Sequence, residues 1–162
     1  MNYFDLHCDT AYECCLNGIG FDNDVTAVNS SAAKRFENWV QTFAVWLRDD
    51  IDDPFGNYNR ILNDIKAKLA GKPKNLTPVF SVEGGAVIEK DAERIETLKN
   101  DGIRFMTLTW NGENRIAGGS KTEKGLTAFG RRVIKKMNEV GMACDVSHLN
   151  DKSFYQVIWR AD

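Results

Sequence analysis

Short apolar runs alternate with longer amphipathic stretches throughout this chain, and nothing else in the sequence constrains its fold as tightly. A short run rich in β-branched and aromatic residues fits a strand, whereas an apolar stripe repeating every 3.6 residues fits a helix. The first run, Tyr3-Phe4-Asp5-Leu6-His7, reads as a strand, with Thr10 capping a helix through Cys15 and Leu16 that Gly18 and Gly20 end. A brief helix near residues 32–37 leads into a second strand at 39–47. Asp53-Pro54 opens a long helix, since proline is tolerated at the first helical position. Ile61, Leu62, Ile65 and Leu69 give that helix one apolar face, and Gly71 and Pro73 stop it. Residues 76–82 form the third predicted strand, broken by Gly84-Gly85. A helix at 92–100, a strand at 104–109, a glycine-containing loop at 111–125, a helix at 127–140, a strand at 142–146 and a helix from Asn150 onward complete the pattern.

Strands separated by helices, with crossovers of this length, favour one parallel sheet built from right-handed βα units. The expected fold is therefore α/β, an incomplete (β/α)8 TIM-type barrel of about five parallel βα units in one domain spanning residues 1–162. A closed barrel needs about 250 residues. The apolar helical pattern at residues 154–160 continues to the end of the sequence, so the chain reads as the N-terminal portion of such a barrel.

Charge narrows the partners. Lys plus Arg is 21 against 23 Asp plus Glu, a net charge of −2, which offers no basic field for nucleic acid and no polybasic patch for lipid. No apolar run approaches the roughly 20 residues that span a bilayer, and the N-terminal stretch carries acids where an export signal carries bases. A cytoplasmic protein is expected. The four cysteines form no C-x-x-C, so free thiols are expected, not a zinc knuckle or a disulfide framework.

The chain has two histidines, and each falls where an apolar run gives way to polar residues. In Asp5-Leu6-His7-Cys8-Asp9, His7 and Asp9 are two apart and would share one face of an extended chain. Val79-Phe80-Ser81-Val82-Glu83 is an apolar strand ending in a carboxylate, with Gly84-Gly85 allowing a sharp turn beside it. Cys144-Asp145-Val146-Ser147-His148 delivers the second imidazole. Parallel α/β folds gather ligands at the carboxyl ends of their strands. Two imidazoles and two carboxylates converging there suit Zn²⁺, Mn²⁺ or Fe²⁺, and a carboxylate can bridge two ions that activate water. Taken singly, each residue reads equally as a hydrogen-bonded structural side chain or a turn residue.

Four segments together resemble a known family. Asp5-Leu6-His7-Cys8-Asp9-Thr10, Ser81-Val82-Glu83-Gly84-Gly85, Leu108-Thr109-Trp110-Asn111 and Asp145-Val146-Ser147-His148-Leu149 resemble, in order, the motifs of the membrane (renal-type) dipeptidases, which are metal-dependent hydrolases. The resemblance implies a (β/α)8 barrel with two Zn²⁺ ions hydrolysing dipeptides. His7 and Asp9 would hold one ion, Glu83 would bridge both, and His148 would hold the other. It also implies a further histidine ligand, a substrate-binding arginine and a proton-transferring aspartate, all expected past Asp162, so that weak turnover is expected of these residues alone. Some members carry a substrate-contacting histidine at the position of Trp110; Trp110 and Asn111 are the candidate substrate-binding residues here. A non-catalytic half-barrel that pairs with a second copy through an open strand edge is the competing expectation, with a homo-oligomer as its consequence.

Smaller features read more plainly. Gly118-Gly119-Ser120 lacks the lysine-containing context of a phosphate loop. Cys8, between two candidate ligands, points away from them by alternation and is expected to be buried. Asp145 is placed to orient a neighbour or to make a strand-end hydrogen bond. Lys34-Arg35 and Arg131-Arg132 are expected on solvated helix faces.

Overall fold

The structure, a computed structural model, describes residues 1–159; residue 160, the last of the predicted apolar helical pattern, lies outside the described residues. Among the described residues five strands alternate with five α-helices: β1 (Asn2–Asp5), α1 (Thr10–Asn17), β2 (Asn38–Trp46), α2 (Pro54–Lys68), β3 (Leu76–Glu83), α3 (Arg94–Asn100), β4 (Ile103–Thr107), α4 (Ala128–Val140), β5 (Ala143–Asp145) and α5 (Asp151–Ile158). Short 3-10 turns occupy Ser30–Arg35, Leu69–Gly71 and Gly85–Ile88. Strand order follows chain order, β1-β2-β3-β4-β5. This is the parallel βα succession of a partial TIM-type barrel, as the sequence predicts. Among the described residues no helix is long and apolar enough to cross a membrane. All four cysteines are free thiols.

The chain divides into two compact units. The first holds Met1–Trp46 and Gly56–Ser81; the second holds Leu47–Phe55 and the described residues from Val82 on. In the first unit β1 pairs with β2 in parallel, Asn2 opposite Asn38 through Asp5 opposite Gln41. Its core is aromatic and aliphatic: Phe21 lies against Trp39 and Phe43, with ring centroids 6.2 and 5.6 Å apart. The predicted stripe of α2 is buried, with Ile61, Leu62, Ile65 and Leu69 at most 4% exposed. Each such burial stabilises by about 1.5–3 kcal/mol relative to an exposed side chain, which is what a helix of modest propensity needs in order to hold.

In the second unit β4 pairs with β5 in parallel, Phe105 opposite Ala143 through Thr107 opposite Asp145. Helices α3 and α4 bury Ile95, Leu98, Val133, Ile134 and Met137. Thr127 caps α4 by accepting the Gly130 N–H at 2.9 Å, and Gly141 closes it in the left-handed region at φ 64°. Arg131 and Arg132 are exposed on α4, as expected.

The early ends of β1 and β5, relative to what the sequence suggests, share one reason; β2 and β4 also stop short, at Trp46 and Thr107 against the expected 47 and 109. Asp5 Oδ1 accepts the His7 N–H at 3.2 Å, and Asp145 Oδ1 accepts the Ser147 N–H at 2.8 Å. An aspartate accepting the amide two residues on is a turn that competes with the ladder. Strands β1 and β5 therefore end at those aspartates, and His7, Asp9 and His148 lie in the turns that follow, not in the strands themselves.

Candidate metal centre

Each unit carries a pair of ligand-type side chains. In the first, the turn after Asp5 replaces the extended alternation assumed from the sequence, yet it still brings His7 to Asp9. His7 Nε2 lies 3.3 Å from Asp9 Oδ1. Asp9 stands at the N-cap of α1 without a side-chain capping bond, so its carboxylate is spent on His7 and not on the helix. Thr10, read from the sequence as the cap, is the first helical residue and donates its hydroxyl to Val28 O at 2.8 Å. Both side chains of the pair are about half exposed, His7 at 48% and Asp9 at 57%. Cys8 between them is buried, as alternation predicts, and its burial pushes the thiol up to about 11, away from nucleophilic use.

In the second unit Glu83 ends β3 as predicted, and its side chain is 8% exposed. A buried carboxylate is costly unless a partner faces it, and His148 Nε2 lies 2.8 Å from Glu83 Oε1. The backbone around Glu83 is fixed on both sides. Its carbonyl accepts the Leu47 N–H at 2.8 Å, and the next amide, Gly84 N–H, donates to Thr107 Oγ1 at 2.7 Å. Gly84 sits at φ 98°, and a Cβ there would lie 2.2 Å from Leu47 O, so only glycine fits.

His148 has φ 67°, an uncommon conformation for a residue with a side chain. It is held there by the 111–121 loop: Ser120 N–H donates to His148 O at 2.8 Å, and Asn111 Oδ1 lies 3.1 Å from His148 Nδ1. The Trp110 ring is 6.4 Å from the imidazole, centroid to centroid, tilted by 48°. Asn111 and Trp110 thus stand beside a candidate ligand. Asp145 makes the local turn bond to Ser147, the second of the two roles the sequence allows it.

Three residues that shape the site escape a reading of the sequence. Asp49 accepts Trp110 N–H at 3.1 Å, Gly112 N–H at 3.0 Å and Asn114 Nδ2 at 3.2 Å, pinning the loop that carries Trp110 and Asn111. Asn114 also donates to Leu108 O at 2.8 Å, and Thr107 holds the turn after Glu83. Asp49 is one acid in the run Arg48-Asp49-Asp50, which reads as solvated surface, and its partners lie some sixty residues away. Gly118 and Gly119 serve close backbone packing: a Cβ on either would meet Lys124 O at 2.1 Å or Trp110 O at 2.2 Å. Burial also pushes the Cys144 thiol up to about 12.

Known proteins resemble this chain in sequence and in fold. The family model for membrane dipeptidase, peptidase family M19, matches residues 57–162, a span that includes Glu83, Trp110, Asn111 and His148 while His7 and Asp9 precede it. An uncharacterized protein from the pqqA 5′ region of Klebsiella pneumoniae is 31% identical over 123 residues, covering 71% of this chain and 45% of that protein. An uncharacterized dipeptidase of Schizosaccharomyces pombe is 28% identical over 97 residues, 57% of this chain and 24% of that protein. The chain therefore spans less than half the length of these curated relatives. Among solved structures, a metallopeptidase from Rhodobacter sphaeroides, liganded with a phosphinate mimic of the dipeptide L-Ala-D-Ala, superposes with TM-score 0.81 at 17% identity, covering 100% of this chain and 63% of that one. A second metallopeptidase, dipeptidase AC of family M19, gives TM-score 0.79 at 17% identity over 99% of this chain and 62% of that one. Motifs, fold and family match converge on one assignment: this chain belongs to the membrane dipeptidase family, peptidase family M19.

Proposed function

We propose that the protein to which these residues belong is a zinc-dependent dipeptidase, with His7 and Asp9 holding one ion, His148 a second, and the Glu83 carboxylate shared between them. The observation that carries the reading is the donor set. Within the first unit His7 Nε2 lies 3.3 Å from Asp9 Oδ1, and within the second Glu83 faces the His148 imidazole at 2.8 Å. Two imidazoles and two carboxylates are ligands that zinc accepts, and a carboxylate offers one oxygen to each of two ions. Zinc in such a centre supplies Lewis-acid polarisation of an amide carbonyl and activation of water.

The chain's own residues supply position. Glu83, buried and fixed through its backbone, presents its carboxylate to His148 within the second unit. His7 is oriented by Asp9, and His148 is held in its turn by the 111–121 loop. Trp110, half-buried beside His148, offers an apolar wall for a small substrate, and Asn111 carries the polar group next to it. Family membership supports a dipeptide as the substrate class, and the absence of a basic field argues against nucleic acid.

The test is metal analysis with a paired thermal measurement. Protein purified without chelator is expected to carry zinc, and its melting temperature is expected to rise with added zinc as a ligand-linked stabilisation. Glu83→Ala is expected to lose both. Wild-type zinc content retained in Glu83→Ala takes Glu83 out of the site, and no zinc in the wild type ends the reading.

A further inference from the structure

We infer that the second unit carries a cleft for the phosphate group of a small molecule, built by Lys90, Arg115, Lys124 and Arg132. None of these residues belongs to the proposed metal centre.

The chain's net charge of −2 hides a local excess of cations. A cleft of about 470 Å³ is lined by Lys90, Arg115, Lys124 and Arg132 together with Thr127 and Phe129, and no carboxylate among the described residues lines it. Sites for small molecules usually measure about 300–1,000 Å³. The four cations come from three segments: Lys90 from the turn after Gly85–Ile88, Arg115 and Lys124 from the 111–125 loop, and Arg132 from α4. Among the described residues none of Lys90, Arg115 and Arg132 is paired with a carboxylate. Like charges gathered in one concavity repel each other and focus a positive potential into it. A bound dianion relieves that repulsion. A phosphate monoester carries about −1.5 to −2 charges at pH 7 and three acceptor oxygens, and guanidinium forks and ammonium groups are the side chains that hold it.

Backbone contacts fix the walls. Thr127 Oγ1 donates to Arg115 O at 2.6 Å and Thr127 N–H donates to Ile116 O at 2.9 Å, which ties the backbone of Arg115 to the start of α4. The helix comes so close there that a Cβ on Gly130 would lie 2.3 Å from Ile116 O. Lys124 Nζ donates to Asn114 O at 2.9 Å, and the Arg132 guanidinium lies over the Phe129 ring, 5.2 Å from its centroid.

A second cavity of about 410 Å³ shares Lys90, Arg115 and Lys124 and adds three acids, Asp49, Glu89 and Glu113. Asp49 is spent on its loop donors, Glu89 is paired with Arg94, and Glu113 lies 3.6 Å from Lys124 Nζ. Carboxylates accept hydrogen bonds and repel a second anion. The phosphate therefore belongs among the four cations, and a hydroxyl-bearing remainder suits the side of the acids.

Calorimetric titration of the full chain, freed of metal so that phosphate meets no zinc, tests this with inorganic phosphate and with glycerol phosphate as the monoester; glycerol is the uncharged control. Saturable binding of phosphate in one or both forms, and none of glycerol, is expected. Equal affinity for the two means that the phosphate group alone is recognised, and tighter binding of glycerol phosphate brings the side of the acids into the site. Arg115→Glu and Lys90→Glu are each expected to weaken binding about 10–100-fold, the worth of a charge-assisted contact. Both side chains are exposed, and an unchanged urea midpoint shows that each variant is folded. Arg104→Glu changes the net charge equally at an exposed residue that lines neither cavity. At about 0.1 M salt, where charges more than about 10 Å away are screened, it is expected to stay within about twofold of wild type. No saturable binding of either phosphate to the wild type overturns the proposal. So does a loss in Arg104→Glu equal to that in Arg115→Glu, which reports net charge and not a site. Unchanged affinity in both cleft variants also overturns it, and means an adventitious ion only.

Discussion

Replacing Gly84 with alanine tests how rigidly the end of β3 is built. Gly84 follows the buried Glu83 and sits at φ 98°, where a side chain costs about 1–2 kcal/mol in local backbone energy alone. The added methyl would also fall 2.2 Å from Leu47 O, a backbone atom that cannot rotate away. Relief requires the two segments to separate, which breaks the Leu47 N–H to Glu83 O bond at 2.8 Å or the Gly84 N–H to Thr107 Oγ1 bond at 2.7 Å. Each broken bond leaves a buried polar group unmatched, at about 1–3 kcal/mol. The expected loss is about 3–6 kcal/mol, a large share of the 5–15 kcal/mol that holds a typical domain. Gly18→Ala is the control: its φ is 63° and nothing lies within 4 Å, so only the backbone term applies. In urea unfolding with m of about 2 kcal/mol/M, Gly84→Ala is expected to lower the midpoint by about 1.5–3 M and Gly18→Ala by about 0.5–1 M. Midpoints for the two variants within about 0.3 M of each other, at equal m, would refute the steric argument.

Two other outcomes follow from particular contacts. Asp49→Ala removes the acceptor for three donors, and charge-assisted bonds of this kind are worth about 1.5–3 kcal/mol each when buried; because Asp49 is half-buried, a loss of about 2–4 kcal/mol is expected, together with faster amide exchange at Trp110 and Gly112, and unchanged protection there would dismiss Asp49 as the anchor. The Cys144 thiol, raised from its usual 9.0 to about 12 by burial, stays protonated at pH 8, so it is expected to react with a thiol reagent far more slowly than an unfolded-chain cysteine. Its folded form favours the neutral thiol, so its share of stability is intact below about pH 9 and falls as pH rises towards 12. Cys144→Ala is expected to flatten that fall in unfolding midpoints measured across the same window, and an unflattened curve places the alkaline loss elsewhere.

Legibility from the sequence was uneven, for physical reasons. Helix α2 was plain because a 3.6-residue stripe, a proline at the first position and a terminating glycine all act locally. Glu83 at a strand end was equally plain, since Gly84-Gly85 cannot continue a ladder without cost. The ends of β1 and β5 were missed by a residue or more, although the signal was present: Asp5 and Asp145 each stand two residues before the amide they accept, and an aspartate so placed competes with a strand.

Local chemistry therefore determined the βα succession, the parallel class and the identity of the ligand-type residues, because periodicity, turn residues and donor type are properties of neighbours in the chain. Tertiary structure alone decided that Asp49 would pin the loop of Trp110, that Asn111 would face His148, and that Thr107 would hold the turn after Glu83. Those contacts join residues 23 to 61 positions apart. A hydrogen bond at that separation exists only after packing has set both backbones, and no pattern of adjacent residues encodes it.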